Sequence, residues 1–571
     1  MANTSRRRKS ALYRYLPIAE WLPAYRREWL SGDFAGGLTT WALTIPAAMA
    51  FAGIAGVPVQ YGLYAACLAP LAYAVFGTSR HLNVGPAATV AAISAAAVTP
   101  LAGGDPQRYV TLTVALALMV GVLLLIGGLA RLGSVAKFLA RPVLDGYIVG
   151  TAVFIVVSQL DKLFGVPATG DNTFFLFADV FRRSAEWSWA TLAVGAACLL
   201  MLYALHGLVP RLPAALTVMV LSIVFAYLFH LGDHGVSLVG DVPRGLTGLS
   251  LTGIGIQDLI KLLPAALGLL VVAFAESLAL ARVFAARHHY RIDANQEMIA
   301  LGAANLGSGL LMGFAVDASF SRTAASEQAG GKTEAAFMFC SLLVLMTVIF
   351  LTGLFKYLPL ATLAAVVIFA VGRLIDVRPF RRLRRVSRMD FALALGALFG
   401  VLVFGVLEGV LIGVFLSLAG FVLRSSRPHS AVLGVDYSGT RHGDLAERPD
   451  CKPVSPYLII YRFDAPLIFS NADQFTGEIL DLVEETDPRP LALIVDCEMI
   501  YEMDTTASDE FSELHRGLAG EGIEVLLARV HAPVLAFIRR DGVTEMVGED
   551  NIFHTVRDAV AAFKERHPDL C

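Results

Sequence analysis

The sequence predicts a membrane all-α protein with 14 transmembrane segments, seven followed by seven, and a small cytoplasmic α/β domain at the C-terminal end. Three observations lead there. The 571 residues are 56% hydrophobic and 16% charged with a mean hydropathy of +0.64, whereas soluble domains carry roughly a quarter charged residues. Long runs such as 109–130, 337–355 and 391–407 contain no charge at all, and about 20 apolar residues suffice to span roughly 30 Å of hydrocarbon. Finally, charge is split along the chain. Residues 457–571 hold 23 Asp or Glu against 9 Lys or Arg, a net of −14, which leaves +11 for residues 1–456.

The same figures exclude other classes. A net charge of −3 and a pI near 6.5 give no basic footprint for nucleic acid, and the apolar runs exclude disorder. Cys67, Cys198, Cys340, Cys451, Cys497 and Cys571 stand singly, without metal-ligand spacing, and read as buried thiols. There is no pattern for a nucleophile, a metal cluster or a nucleotide loop, so neither enzyme activity, cofactor nor metal is expected.

In chain order, the predicted spans lie near 38–54, 61–77, 86–99, 109–130, 143–160, 188–207 and 213–231. The second set lies near 264–286, 295–314, 322–330, 334–355, 358–373, 391–406 and 408–424. The expected division is a cytoplasmic segment 1–32, a transmembrane domain 33–425, a polar linker 426–456 containing Pro428, and a C-terminal domain 457–571. Basic loops stay cytoplasmic. Arg6, Arg7, Arg8 and Lys9 precede span one, Arg131, Lys137 and Arg141 follow span four, Arg282, Arg287 and Arg291 follow span eight, and Arg381, Arg382, Arg384, Arg385 and Arg388 follow span twelve. Each cluster after the first follows an even span, which places both termini inside a plasma or inner membrane. The clusters read as topology signals in preference to binding sites for anionic membrane lipid. No cleavable signal peptide is expected.

Spans three and ten are too short. The third opens at Gly85-Pro86 after the polar run 78–81, and the tenth opens after Asp317-Ala318-Ser319 and is broken by Glu327 and Gly330-Gly331. Their spacing is similar to that of a second pair: Pro86 to Ser321 is 235 residues, and Pro46 in span one to Glu276 in span eight is 230. Interrupted spans at corresponding places in two halves point to a transporter's substrate site, because half-helices leave backbone N–H groups unpaired at mid-membrane. Two such N-termini facing each other make a donor-rich, positive pocket suited to an anion.

Several stretches are those of a known family. Residues 45–52 (IPAAMAFA), 61–64 (YGLY) and 76–86 (FGTSRHLNVGP) resemble the first three spans of the SulP/SLC26 anion transporters. Phe320-Ser321-Arg322-Thr323 and 328–333 (QAGGKT) resemble that family's tenth span and its exit. The likeness runs over nearly the whole chain and includes a C-terminal STAS domain. It implies a 7+7 inverted repeat in which a core domain slides like an elevator against a gate domain, in a homodimer. It further implies an anion site at Phe51, at Gly85, Pro86 and Ala87, and at Ser321 and Arg322. Two positions depart from the family: Ala47 stands where many relatives have Gln or Glu, and Ala87 where some animal members have Phe. A wider, less polar pocket is expected.

The residues themselves support those roles. Arg322 offers fork-shaped donors to an oxyanion and keeps its charge at physiological pH. Ser321 would add a hydroxyl donor or cap its half-helix. Glu276 has no basic neighbour at helical spacing. An acid at that depth is functional by default, so Glu276 is the expected carrier of a coupling cation, proton or sodium; the competing reading is a fixed pair with Arg322. Glu408 is expected to make a scaffold or dimer contact, and Asp145 to reach water near Arg141.

Carrying a charge against the membrane potential costs about 2.3 kcal/mol per 100 mV. A dianion therefore needs two cations to move electroneutrally, and one acid supplies one. Family likeness favours sulfate, and this arithmetic favours a monoanion such as bicarbonate; symport and exchange both remain open. A receptor that transports nothing is the rival from another class, and a nucleobase carrier is disfavoured by Arg322.

In the tail, β-rich runs at 458–463, 491–496 and 525–528 alternate with amphipathic helices at 508–518 and 556–563, as in a mixed α/β layer. Asp504 is expected to cap the following helix rather than to serve a phosphorylated Thr506. The tail's acidity is complementary to the basic loops.

Overall fold

In the computed structural model, residues 15–568 are described, apart from 134–139, 169, 171, 210, 211 and 438–440. Arg6, Arg7, Arg8, Lys9, Lys137 and Cys571 lie outside the described residues. Contacts divide the chain into two compact units, 1–418 and 419–571.

Helices stand at all fourteen predicted places. They are α1 (Leu30–Ile54), α2 (Val59–Phe76), α3 (Ala88–Ala102), α4 (Pro106–Leu129), α5 (Arg141–Ser158), α6 (Trp189–Leu208) and α7 (Ala214–Leu228). The second set is α8 (Ile256–Arg287), α9 (Ala294–Leu310), α10 (Phe320–Gln328), α11 (Ala335–Met346), α12 (Leu360–Gly372), α13 (Arg388–Phe404) and α14 (Val406–Ser425). Eight are long and apolar enough to cross a membrane, α11 with its non-α continuation to Tyr357, and α3, α7 and α12 are shorter apolar helices. The other three, α9, α10 and α13, meet neither criterion, so length and composition alone do not reproduce the count of fourteen.

Local chemistry sets the helix starts. Asp105 accepts from the amides of Gln107 and Arg108 at the head of α4, with Pro106 as its first residue, and Asp293 does the same for Asn295 and Gln296 at the head of α9. Such caps satisfy amides that have no partner within the helix. Small residues then bring helices close, as lipid-embedded packing requires. A Cβ at Gly62 of α2 would collide with the Ala48 carbonyl of α1, and one at Gly146 of α5 with the Ala394 carbonyl of α13.

Packing sorts the helices into two groups. α9 lies against α4 and α2, α11 against α1 and α2, and α8 against α4 and α3; α13 lies against α5, and α6 against α12 and α7. α1 also touches α7 and α12, and α3 touches α5, so these contacts join the groups. Two three-residue strands, β1 (Val84–Pro86) and β2 (Val316–Ala318), pair antiparallel within the first group.

The second unit holds a sheet of β3 (Ser430–Asp436), β4 (His442–Asp444), β5 (Cys451–Lys452), β6 (Leu458–Phe463), β7 (Ala492–Asp496), β8 (Glu524–Ala528) and β9 (Ile552–Phe553). The order is β4-β3-β6-β7-β8-β9, with β5 on β3 and with β6 to β9 parallel. Helices α15 (Ala472–Glu485), α16 (Thr505–Gly520) and α17 (Ala532–Arg540) supply Phe475, Phe511 and Ile538 to one apolar core, and α18 (Val556–Arg566) supplies Phe563 to the core on the other face. The Asp504 carboxylate accepts from the Ala507 amide and caps α16. Asp496, fully buried at the end of β7, pairs with Arg529.

The stretch 426–456, expected to be a linker, carries β3, β4 and β5. Its polar turn residues hid an edge of the sheet whose inward positions, Ala431 and Leu433, are buried. The five described cysteines are free and buried.

Candidate functional site

The two interruptions meet. Val84 faces Ala318, Gly85 faces Asp317 and Pro86 faces Val316 across the β1–β2 ladder. α3 follows β1 and α10 follows β2, so the N-termini of both helices start at this ladder. Ala87 (φ −140°) and Ser319 (φ −118°) stand at the two starts in extended conformation, and no side chain caps either one. The first-turn amides and the positive dipole ends of two helices therefore concentrate at one place.

Neighbouring side chains hold the ladder. Asn305 of α9, fully buried, donates to the Val316 carbonyl and accepts from the Val316 amide, both at 3.0 Å. Ser277 Oγ of α8 accepts from the Ala318 amide at 3.0 Å. Thr323 Oγ1 accepts from the Asn83 amide at 2.9 Å, and the Ser319 amide donates to the Asn83 carbonyl at 2.9 Å. A three-residue ladder is marginal by itself; these side chains fix it.

Arg322, on the first turn of α10 and 3% exposed, reaches across to the opposite half of the repeat. Its Nη2 donates to the Pro86 carbonyl at 2.8 Å. Its Nε and Nη1 have no hydrogen-bond partner among the described residues. Gly85 borders the guanidinium: a Cβ there would lie 3.5 Å from Nη2 and 3.6 Å from Nη1. A buried guanidinium with two free donors beside two helix N-termini is an arrangement that an oxyanion completes.

The other expected residues take different places. Gly85 and Pro86 form β1, and Ala87 is the cap position of α3. Phe51 is half-buried near the end of α1, the helix that packs on β1, α3 and α10, and belongs to the same apolar core. Ser321 is exposed, with its hydroxyl 3.3 Å from that of Ser319 rather than on a helix amide. Glu276 is half-buried on α8, one residue before Ser277. No ion pair joins Glu276 to Arg322 among the described residues, so the fixed-pair reading finds no support. Instead Glu276 faces Asp317. Glu408 is exposed.

Asp317 was missed. It is fully buried, and neither carboxylate oxygen has a hydrogen-bond donor among the described residues. The sequence carried a signal, a lone acid between two apolar segments, but its place in Asp317-Ala318-Ser319 reads as an ordinary polar helix start.

Residues 30–397 match the model of the sulfate permease family, and 447–559 match the STAS domain. A probable sulfate transporter of Mycobacterium tuberculosis is 37% identical over 556 residues, covering 96% of this chain and 99% of that protein. This chain belongs to the sulfate permease family. High affinity sulfate transporter 1 of Stylosanthes hamata is 31% identical, covering 96% of this chain and 86% of the plant protein. Among solved structures, SLC26A9 superposes with a TM-score of 0.91 at 22% identity, covering 98% of this chain and 94% of that one. The transmembrane domain of a cyanobacterium bicarbonate transporter, BicA, gives 0.61 at 21% identity over 69% of this chain and 98% of that one. At these identities the two structures show the fold alone. Membership of the sulfate permease family makes this chain a membrane transporter rather than an enzyme, with a small anion as its cargo and a C-terminal STAS domain.

Proposed function

We propose that this sulfate permease family member is a secondary active transporter of small oxyanions, sulfate first and bicarbonate as the alternative, driven by a proton or sodium ion. The observation that carries the reading is the Arg322 guanidinium, buried with Nε and Nη1 unpaired, at the meeting point of two helix N-termini. The anion would sit against Arg322 and the first amides of α3 and α10, with Gly85, Pro86 and Ala87 forming the wall, Phe51 the apolar side and Ser321 the entrance. Desolvating an oxyanion is costly unless fixed donors replace its water, and the ladder holds these donors in place. Glu276, facing the site from α8, would hold the coupling cation.

The names of the curated relatives, sulfate transporters of a bacterium and of plants, support sulfate as the first candidate; the bicarbonate transporter that shares the fold supports the alternative. The two packing groups support an elevator movement: the ladder, α1, α3, α8 and α10 travel as one body against α5 to α7 and α12 to α14. In this reading both termini face the cytoplasm of a plasma or inner membrane and the protein is a homodimer.

The test is uptake into proteoliposomes of labelled sulfate, bicarbonate, chloride and dicarboxylates under imposed proton or sodium gradients. Gradient-driven accumulation of one oxyanion is the expected result. Absence of flux for every anion, with or without the tail, would leave a receptor rather than a carrier.

A further inference from the structure

Asp317 is the one fully buried acid at the site, and the scheme above gives it no task. Its surroundings are defined on every side. Across the ladder lies Gly85. From α8 comes Glu276 and from α10 Arg322, and the Tyr147 phenol of α5 lies within electrostatic range of both acids. Cys340 of α11 lies within electrostatic range of Arg322, and α9 presents Asn305, already engaged with the Val316 backbone. Neither Asp317 oxygen receives a hydrogen bond, Oε1 of Glu276 receives none, and Arg322 keeps two donors unused without forming an ion pair with either acid among the described residues.

A carboxylate buried with no donor and no paired cation is among the costliest arrangements in a protein. Two adjacent carboxyl groups relieve that cost by holding protons and bonding to each other. The guanidinium is then the single uncompensated charge, and an oxyanion would neutralise it. When the protons leave, the nearest anion available to the free Nε and Nη1 of Arg322 is the carboxylate of Asp317, five residues earlier in the chain. Asp317 and the transported anion are thus alternative ligands for the same donors.

We infer that Asp317 is a second proton-carrying group that competes with the transported anion for Arg322, so that one anion enters with two protons, one on Asp317 and one on Glu276. This rests on the function proposed above and names its substrate class, a dianion of the sulfate type. The charges balance: two protons come from the side on which the anion enters, and they leave with it on the other side. The carrier bears one negative charge when empty, with both acids ionised and Arg322 positive, and one negative charge when loaded, with both acids neutral and the dianion bound. The two crossings carry the same charge in opposite directions, so a full cycle moves no net charge and sulfate accumulation does not work against the membrane potential.

The test measures labelled sulfate binding to the purified full chain as a function of pH, with uptake into vesicles at clamped potential. In the alkaline range the wild-type affinity should fall about 100-fold per pH unit, and in Asp317→Asn or Glu276→Gln about tenfold, because the slope counts the protons linked to binding. Asp317→Asn should bind sulfate more tightly than wild type at alkaline pH, having lost the competitor, whereas loss of a merely structural residue would weaken binding at every pH. The sulfate accumulation that it reaches should fall with an inside-negative potential, while the accumulation reached by the wild type does not change. A wild-type slope of one proton, unchanged in Asp317→Asn, would overturn this inference and leave the proposed function standing. Sulfate binding independent of pH in the wild type, or no sulfate binding at all, would instead remove the function it rests on. If Asp317→Asn does not fold, the wild-type slope alone decides between one proton and two.

Discussion

Arg322 donates a hydrogen bond of 2.8 Å to the Pro86 carbonyl, joining two residues that are 236 positions apart. This bond ties the two interrupted segments together and leaves the other face of the guanidinium free. A side chain that serves as both strut and ligand donor should be intolerant of change. Arg322→Lys keeps the charge but loses the planar fork, and is expected to lower oxyanion uptake at least 100-fold in proteoliposomes, with Arg322→Gln no better. Uptake by Arg322→Lys within a few-fold of wild type would show that only the charge matters.

Gly85 sets the space beside that guanidinium. With a Cβ position 3.5 Å from Nη2, Gly85→Ala fits at van der Waals contact and should retain much of the uptake. Gly85→Leu pushes further atoms into the donors and should abolish binding of labelled sulfate while the protein still elutes as a folded species in detergent. Equal binding by the two variants would place the anion elsewhere.

Asn305 anchors β2 with both ends of its amide. Asn305→Leu leaves the buried N–H and C=O of Val316 without partners, at a cost of about 1–3 kcal/mol each, and should lower the thermal midpoint of the full chain and its uptake together. Unchanged stability would mean that the ladder does not depend on α9.

In the tail, Asp504→Ala removes the cap from α16. A loss of about 1 kcal/mol is expected, read as a shift in the tail's unfolding transition in the full chain. Thr506, exposed on the first turn of that helix, should tolerate substitution by Ala with no measurable change.

The span positions were legible because apolar runs bounded by glycine, proline and charge are physically distinct from everything else in a chain. Both broken spans were legible for the same reason: Gly85-Pro86 and Gly330-Gly331 interrupt runs that would otherwise continue. Arg322 stood out as a charge where none is tolerated idly. Asp317 did not, because a carboxylate at a helix start is ordinary in a soluble protein, and only the ladder opposite Gly85 shows that it is buried. Nor could the sequence show that Arg322 bonds to Pro86 rather than to Glu276, since that depends on which halves pair and in what register. The strands at 430–452 were hidden by turn residues spaced within a short, polar stretch, where alternation is too brief to separate from a linker.

The most direct measurement is the position of a bound oxyanion. Crystals of the protein grown with selenate should show anomalous scattering within hydrogen-bonding distance of Nε and Nη1 of Arg322, between the N-termini of α3 and α10, and Arg322→Gln should abolish the signal. Selenate found away from the β1–β2 ladder, or retained undiminished in the variant, would contradict the account.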